Sequence, residues 1–500
     1  MKEQNQNETL LTDPKNKTVP AKNSTDVLPA DKKTKTIQSK TNTETAPAKN
    51  KMETMPVNRL MLNMGIPMII SMMLQAVYNI VDSAFVANIK GTGEQALNAL
   101  TLAFPVQMLM VAVGIGTGVG VNVLLARSLG EKNHDRANRT VGNGIFLMAV
   151  IYIIFLVFGL CGTDIYISSQ TTNPVIKDMA NDYLRICCCY SFGVLGFSLY
   201  EKVLQATGRS MYSTIAQIAG AVSNIILDPI LIYGLLGFPK LGVAGAAYAT
   251  VIGQVISLLC GIVFHVTKDK EIKNSSRFIL PSGNIIKNIY ATGLPAIIAQ
   301  ALMSVMTYLL NVIFVKINEN VVTAYGLYYK IQQFILFAAF GMRDAITPIV
   351  SYSYGMKNNE RVKNGIRYGL LYTTIIMAAG LLLVEALAAP FSSFFGLSGD
   401  TRNLCVSAMR IISLSHIFTG ANIACQGIFQ ALNRGMESLV ISVCRQFLFV
   451  IPVAYLLTIA VTADHAAPWI VWLTFPFAEI VSAIISAVLM KCVKKKIFAY

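Results

Sequence analysis

Asn224 and Asp228 stand four residues apart inside an otherwise apolar run, Ser223-Asn224-Ile225-Ile226-Leu227-Asp228-Pro229-Ile230-Leu231-Ile232-Tyr233. On a helix that spacing stacks the amide and the carboxylate on one face. A carboxylate within a hydrophobic span is costly to keep and is expected to face a cavity, an ion or a proton path. Pro229 removes a backbone donor, which can kink the helix and free acceptor oxygens at the same depth. Two chemistries fit such a face. A hard cation such as Na+ takes several oxygen ligands, whereas a proton needs only one carboxylate able to exchange it. The residues leave that choice open.

These side chains need an apolar element to carry them, and the composition supplies it. Of 500 residues, 54% are hydrophobic and 13% charged, with a mean hydropathy of +0.55, whereas soluble domains are about one quarter charged. The net charge of +15 would suit nucleic acid if it lined one soluble face. Outside the N-terminal stretch, however, the basic residues sit in short runs between apolar segments, the pattern of membrane topology. The nine cysteines, including Cys187-Cys188-Cys189, lie mostly in apolar segments without zinc or disulfide spacing, and read as small packing residues. The apolar spans hold no paired histidines and no nucleophile with a base at helical spacing; His265, His416 and His465 are isolated. A membrane-embedded enzyme is therefore the weakest functional class.

Residues 1–55 are rich in Lys, Thr, Asn and Pro and cannot bury enough apolar surface to fold, so they are expected to be a disordered cytoplasmic tail. From Leu60 on, about twelve apolar segments are long enough to cross a ~30 Å hydrocarbon core. Basic connections (Arg127 to Arg139, Arg209, Lys268 to Lys287, Lys357 to Arg367, Arg434) alternate with connections poor in positive charge. With twelve spans, all the basic connections and both termini fall on one side, the cytoplasmic side by the positive-inside rule.

The two halves echo each other at an offset of about 225 residues. Gly65-Ile66-Pro67 matches Gly293-Leu294-Pro295, and Leu129-Gly130-Glu131-Lys132-Asn133 matches Tyr354-Gly355-Met356-Lys357-Asn358. Gln205-Ala206-Thr207-Gly208-Arg209 matches Gln430-Ala431-Leu432-Asn433-Arg434, and Asp228-Pro229 matches Ile451-Pro452. Six spans per half give parallel repeats, an arrangement used by transporters that rock two bundles about a central site. The expected organisation is all-α and polytopic: an N-lobe over 56–266, a cytoplasmic linker over 267–287, and a C-lobe over 288–500. The two six-helix bundles are expected to enclose a V-shaped central cavity.

Five stretches in register carry a resemblance to a known family. They are Val81-Asp82-Ser83-Ala84-Phe85-Val86; the Gly114 to Gly120 run with Ala126-Arg127-Ser128-Leu129-Gly130; Leu204-Gln205-Ala206-Thr207-Gly208; Asn224 to Pro229; and Gly242-Val243-Ala244-Gly245-Ala246-Ala247-Tyr248-Ala249-Thr250. Together with the duplication they resemble the multidrug and toxic compound extrusion (MATE) transporters, in particular the branch containing Gram-positive multidrug exporters, over residues 56–500. The resemblance implies antiport of Na+ or H+ against cationic amphipathic drugs by alternating access. It also implies a monomer in the plasma-membrane bilayer, with no nucleic-acid partner, no enzymatic step and no cofactor beyond the coupling ion. It places the cation site at Asp82, Asn224, Asp228 and Thr250, which would be metal ligands if the ion is Na+. Gln75, Glu201 and Asp228 are the expected drug contacts. Members that couple through the C-lobe carry acids on the seventh and tenth helices; here Gln300 stands near the first position, and the tenth span offers Arg410 and His416. Coupling is thus expected in the N-lobe. A lipid-linked oligosaccharide flippase of a related branch is the alternative within transport.

The remaining charged residues in apolar segments read as structural or peripheral. Glu201 and Lys202 read as snorkelling toward the interface, Arg343-Asp344 as a self-neutralised pair, Glu385 as lying toward the outer end of its span, and Arg445 toward the inner end of its own.

Overall fold

The computed structural model describes residues 51–394, 399–463 and 466–498. The helices are α1 (Lys51–Thr54), α2 (Val57–Ala87), α3 (Gly93–Gly130), α4 (His134–Cys161), α5 (Thr163–Ser168), α6 (Pro174–Cys189), α7 (Phe192–Ala206), α8 (Ser210–Tyr233) and α9 (Val243–Lys268) in the first half. The second half has α10 (Gly283–Phe314), α11 (Glu319–Gly355), α12 (Asn359–Phe394), α13 (Gly399–Ser413), α14 (His416–Ala431), α15 (Gly435–Val443), α16 (Val450–Ala463) and α17 (Thr474–Phe498). Among the described residues, ten long, apolar helices or near-continuous helical runs are able to cross a membrane. Two bent pairs, α6 with α7 at 45° and α13 with α14 at 52°, bring the total to the expected twelve when each pair is counted as one span. The breaks fall at equivalent places in the two halves, before Phe192 and before His416.

The sequence echo is also an echo of backbone. Lys132 and Lys357 both take the left-handed conformation (φ 57° and 56°), as do Gly208 and Asn433 (φ 81° and 58°). Asn133 and Asn358 cap α4 and α12 alike, each side-chain oxygen accepting from the backbone N–H three residues on at 3.0 Å. Packing repeats too: α2 lies on α8 as α10 lies on α15, and α3 on α7 as α11 on α14.

Three apolar cores define the shape. One is built from both lobes and contains Met61, Leu125, Leu199, Ile289, Ile346 and Phe429, near the helix ends that carry the basic connections. The other two lie toward the opposite end, one confined to the N-lobe (Val86, Ile167, Ile232) and one to the C-lobe (Leu310, Tyr325, Trp472). The lobes therefore share a core at the basic end and part toward the other, forming a V. At the vertex α3 crosses α11, where the echoed Gly130 and Gly355 meet. A Cβ on Gly130 would strike the carbonyl of Tyr352, and one on Gly355 the carbonyl of Arg127. Hydrogen is the only side chain that allows this approach.

Two expectations are corrected. Residues 51–55, placed in the expected tail, are packed: Met52 is buried in the shared core, and Arg361 donates to the carbonyls of Met52 and Met55 at 2.8 and 3.0 Å. The rest of the expected tail, 1–50, lies outside the described residues. Helices α9 and α10 also extend to Lys268 and Gly283, so the connection between the lobes is shorter than the expected 267–287. It is tied to the N-lobe, with Asp269 accepting from Thr207 and ion-paired to Arg209, and the backbone of Ser282 donating to Asn143.

Candidate functional site in the N-lobe

Helix α2 presents Gln75, Tyr78 and Asp82 at i, i+3 and i+7, and α8 presents Gln217, Asn224 and Asp228 at i, i+7 and i+11. Both series follow the helical repeat, so each lies along one face. The faces meet. Gln217 accepts from Ser71 at 2.7 Å and donates to Gln75 at 3.1 Å, joining α8 to α2. Helix α8 remains continuous through Pro229, so Asn224 and Asp228 keep the expected register: the Asn224 amide donates to Asp228 at 3.3 Å and to Thr250 of α9 at 3.4 Å.

A cavity of about 100 Å³ lies between these helices, bounded by Gln75, Tyr78, Glu201, Gln217, Asn224 and Thr250, among others. Four of the six expected site residues thus border one space. Asp228 sits behind Asn224, fully buried. Asp82 lies further along α2 and within electrostatic reach of Asp228. Tyr78 stands one turn before Asp82 on the same face of α2.

The decisive detail is which oxygens lack partners. Asp82 Oδ1, Asn224 Oδ1 and Asp228 Oδ2 are all buried, and none accepts a hydrogen bond. Buried polar atoms are nearly always satisfied, because an unsatisfied one costs about 1–3 kcal/mol. Three acceptors without donors on two facing helices, two of them carboxylate oxygens, make an environment short of positive charge. Such a donor set suits a hard monovalent cation or a proton. Among the described residues no cluster of three or more His, Cys, Asp or Glu exists that would suit a transition metal.

Comparison with known proteins identifies the architecture. The MatE family profile matches residues 67–230 and 295–456, one stretch in each lobe. The chain belongs to the MATE family. It is 23% identical over 397 residues to the multidrug export protein MepA of Staphylococcus haemolyticus strain JCSC1435, covering 79% of this chain and 86% of that one. A MATE crystal structure in complex with MaL6 shares the fold with a TM-score of 0.84 at 24% identity, over 91% of this chain and 100% of the other. An outward-facing multidrug resistance MATE transporter of the MOP superfamily superposes with a TM-score of 0.82 at 25% identity, over 89% and 97% of the two chains. The first matched stretch of this MATE protein contains Gln75, Asp82, Glu201, Asn224 and Asp228, and ends before Thr250.

Tyr78 and Gln217 were not anticipated, although helical spacing from Asp82 and Asn224 was the available signal. One reading of the charged residues also needs correction. Lys202 does not snorkel: it is buried, and its ammonium donates to Asp344 of the other lobe at 2.6 Å. Arg343 and Asp344 do pair, at 3.0 Å, but Asp344 is shared with Lys202. Arg445 is bound by Glu479 at 2.6 Å, with Asn422 donating to the same carboxylate at 2.8 Å. Glu385 accepts from Ser413 at 2.9 Å and lies 4.0 Å from Arg410.

Proposed function

We propose that this MATE protein is a secondary-active multidrug exporter, exchanging Na+ or H+ for cationic amphipathic compounds by alternating access. The observation that carries the reading is the set of unpartnered buried oxygens on Asp82, Asn224 and Asp228. A cation or proton arriving there, with Thr250 as a further oxygen, would relieve the repulsion between two facing carboxylates and draw α2 and α8 together. Closing the gap between those helices reshapes the adjoining cavity, where Gln75 and Glu201 would meet the drug. Asp228, behind Asn224, would then act on the drug through its charge. The protein works as a monomer in the plasma membrane with both termini in the cytoplasm, so its V opens outward. Its relatives' names support the export of drugs.

The flippase reading expects a cationic cavity. Here the buried cations Lys202 and Arg445 and the half-buried Arg343 are each held by a carboxylate, and the acid Glu201 borders the N-lobe space. That charge favours cationic cargo. The direct test is ethidium accumulation in cells expressing the chain. Lower accumulation than in vector controls, restored by collapsing the ion gradients, is the expected outcome. Equal accumulation at verified membrane expression would remove the exporter reading.

A further inference from the structure

Four charges meet where the lobes close. Glu201 and Lys202 are adjacent on α7 of the N-lobe, and Arg343 and Asp344 are adjacent on α11 of the C-lobe. Lys202 is 2% exposed, and its ammonium donates to Asp344 Oδ2 at 2.6 Å across the lobes, while Glu201 lies 3.8 Å from the same nitrogen. Arg343 holds the other oxygen of Asp344, with Nη2 at 3.0 Å. Gln205 joins the group, donating to Glu201 at 2.9 Å and accepting from Lys202 at 3.1 Å. Gly118 of α3 clears the way, since a Cβ there would meet the Lys202 stem at 2.9 Å.

Each lobe thus carries its own neutral pair. Parting an ordinary buried ion pair leaves two uncompensated charges, which is strongly unfavourable in a low-dielectric setting. Here the cross-lobe bond can break without that penalty: Lys202 falls back on Glu201, and Asp344 keeps Arg343. Both arrangements are charge-balanced, which is what a two-state element requires. We propose that Lys202 is an exchangeable latch, bonded to Asp344 when the basic end is closed and to Glu201 when it is open.

The exchange also connects the latch to cargo, an extension that rests on the exporter reading above. Glu201 borders the N-lobe cavity. A cationic compound entering from the open basic end would neutralise Glu201 and release Lys202 to Asp344, closing that end behind it. Departure of the compound returns Glu201 to Lys202 and weakens the closure. Lys202 acts here as a positioning residue, through its two partners.

The test uses spin labels at Lys132→Cys and Lys357→Cys, two exposed positions at the basic end of opposite lobes, in full-length protein with the native cysteines replaced. Asp344→Asn is expected to shift the label distances toward longer values. The charge swap Lys202→Asp/Asp344→Lys is expected to restore the short distance, because the cross-lobe attraction returns. It should nevertheless transport at least about tenfold more slowly than wild type, because opening would leave like charges side by side within each lobe. A swap that transports at the wild-type rate would reduce the pair to an ordinary structural bridge. Unchanged distances in Asp344→Asn would overturn the latch outright. The distances read the latch even if wild-type protein moves no dye, so failure of the exporter reading is seen separately.

Discussion

Asp228→Asn protein, inserted at wild-type levels, is expected to lose gradient-driven efflux of ethidium by about tenfold or more, since losing about 1.4 kcal/mol of coupling is already a tenfold change. The substitution keeps the shape of the side chain and removes its charge. Asp228 is fully buried, with Oδ1 bonded to Asn224 at 3.3 Å and Oδ2 unpartnered, so the neutral amide offers neither a proton to exchange nor a charge to balance a cation. It should still bind drug, more weakly without the Asp228 charge, because Gln75 and Glu201 border the cavity unchanged. Binding retained with coupling lost is the signature, measured as dye binding and dye efflux on the same preparation. Efflux at the wild-type rate would move the coupling away from this carboxylate.

The second large effect is expected in the C-lobe. Arg445 and Glu479 are ion-paired at 2.6 Å with side-chain exposures of 7% and 12%. Removing one partner of such a pair strands the other and costs about 3–5 kcal/mol. Arg445→Ala should therefore lower thermal stability strongly in detergent, and Glu479→Gln should do the same. The double variant Arg445→Met/Glu479→Gln leaves no stranded charge and is expected to recover much of the loss. Equal losses in the single and double variants would mean that packing at the π-helical turn Cys444–Leu448, rather than charge, sets the stability there.

These two sites show why the halves differ in chemistry. Both involve the fifth and sixth spans of a six-helix repeat, the N-lobe site with α2 as well, and both keep the proline, Pro229 and Pro452. In the N-lobe those spans carry acceptors without a cation. In the C-lobe the corresponding spans carry Glu479 with a cation already tethered beside it, Arg445. Reading Asp228 against Ile451 pointed toward N-lobe coupling, a proposal that the Arg445–Glu479 pair supports, since that C-lobe acid already holds a cation.

What was legible in the sequence follows from periodicity. Apolar length gave the spans, and recurrent turns gave the repeat, because Gly130 with Gly355 and Asn133 with Asn358 answer local demands of backbone and capping. The Asn224–Asp228 face was legible because both residues lie on one helix. Pairings between helices were not. Lys202 and Asp344 are 142 residues apart, and no local pattern distinguishes a lysine that snorkels from one that reaches the other lobe. Arg445 and Glu479, on neighbouring spans, were missed for the same reason. The bends in the two broken spans were not anticipated, because length and hydropathy are insensitive to a bend.

The most direct test of cation coupling in the N-lobe is dye transport by the purified protein in sealed vesicles, with Na+ and H+ gradients imposed one at a time. One of the two gradients is expected to drive ethidium against its concentration in wild type, and neither in Asp228→Asn. Concentrative transport in both proteins, or in the absence of either gradient, would contradict the account.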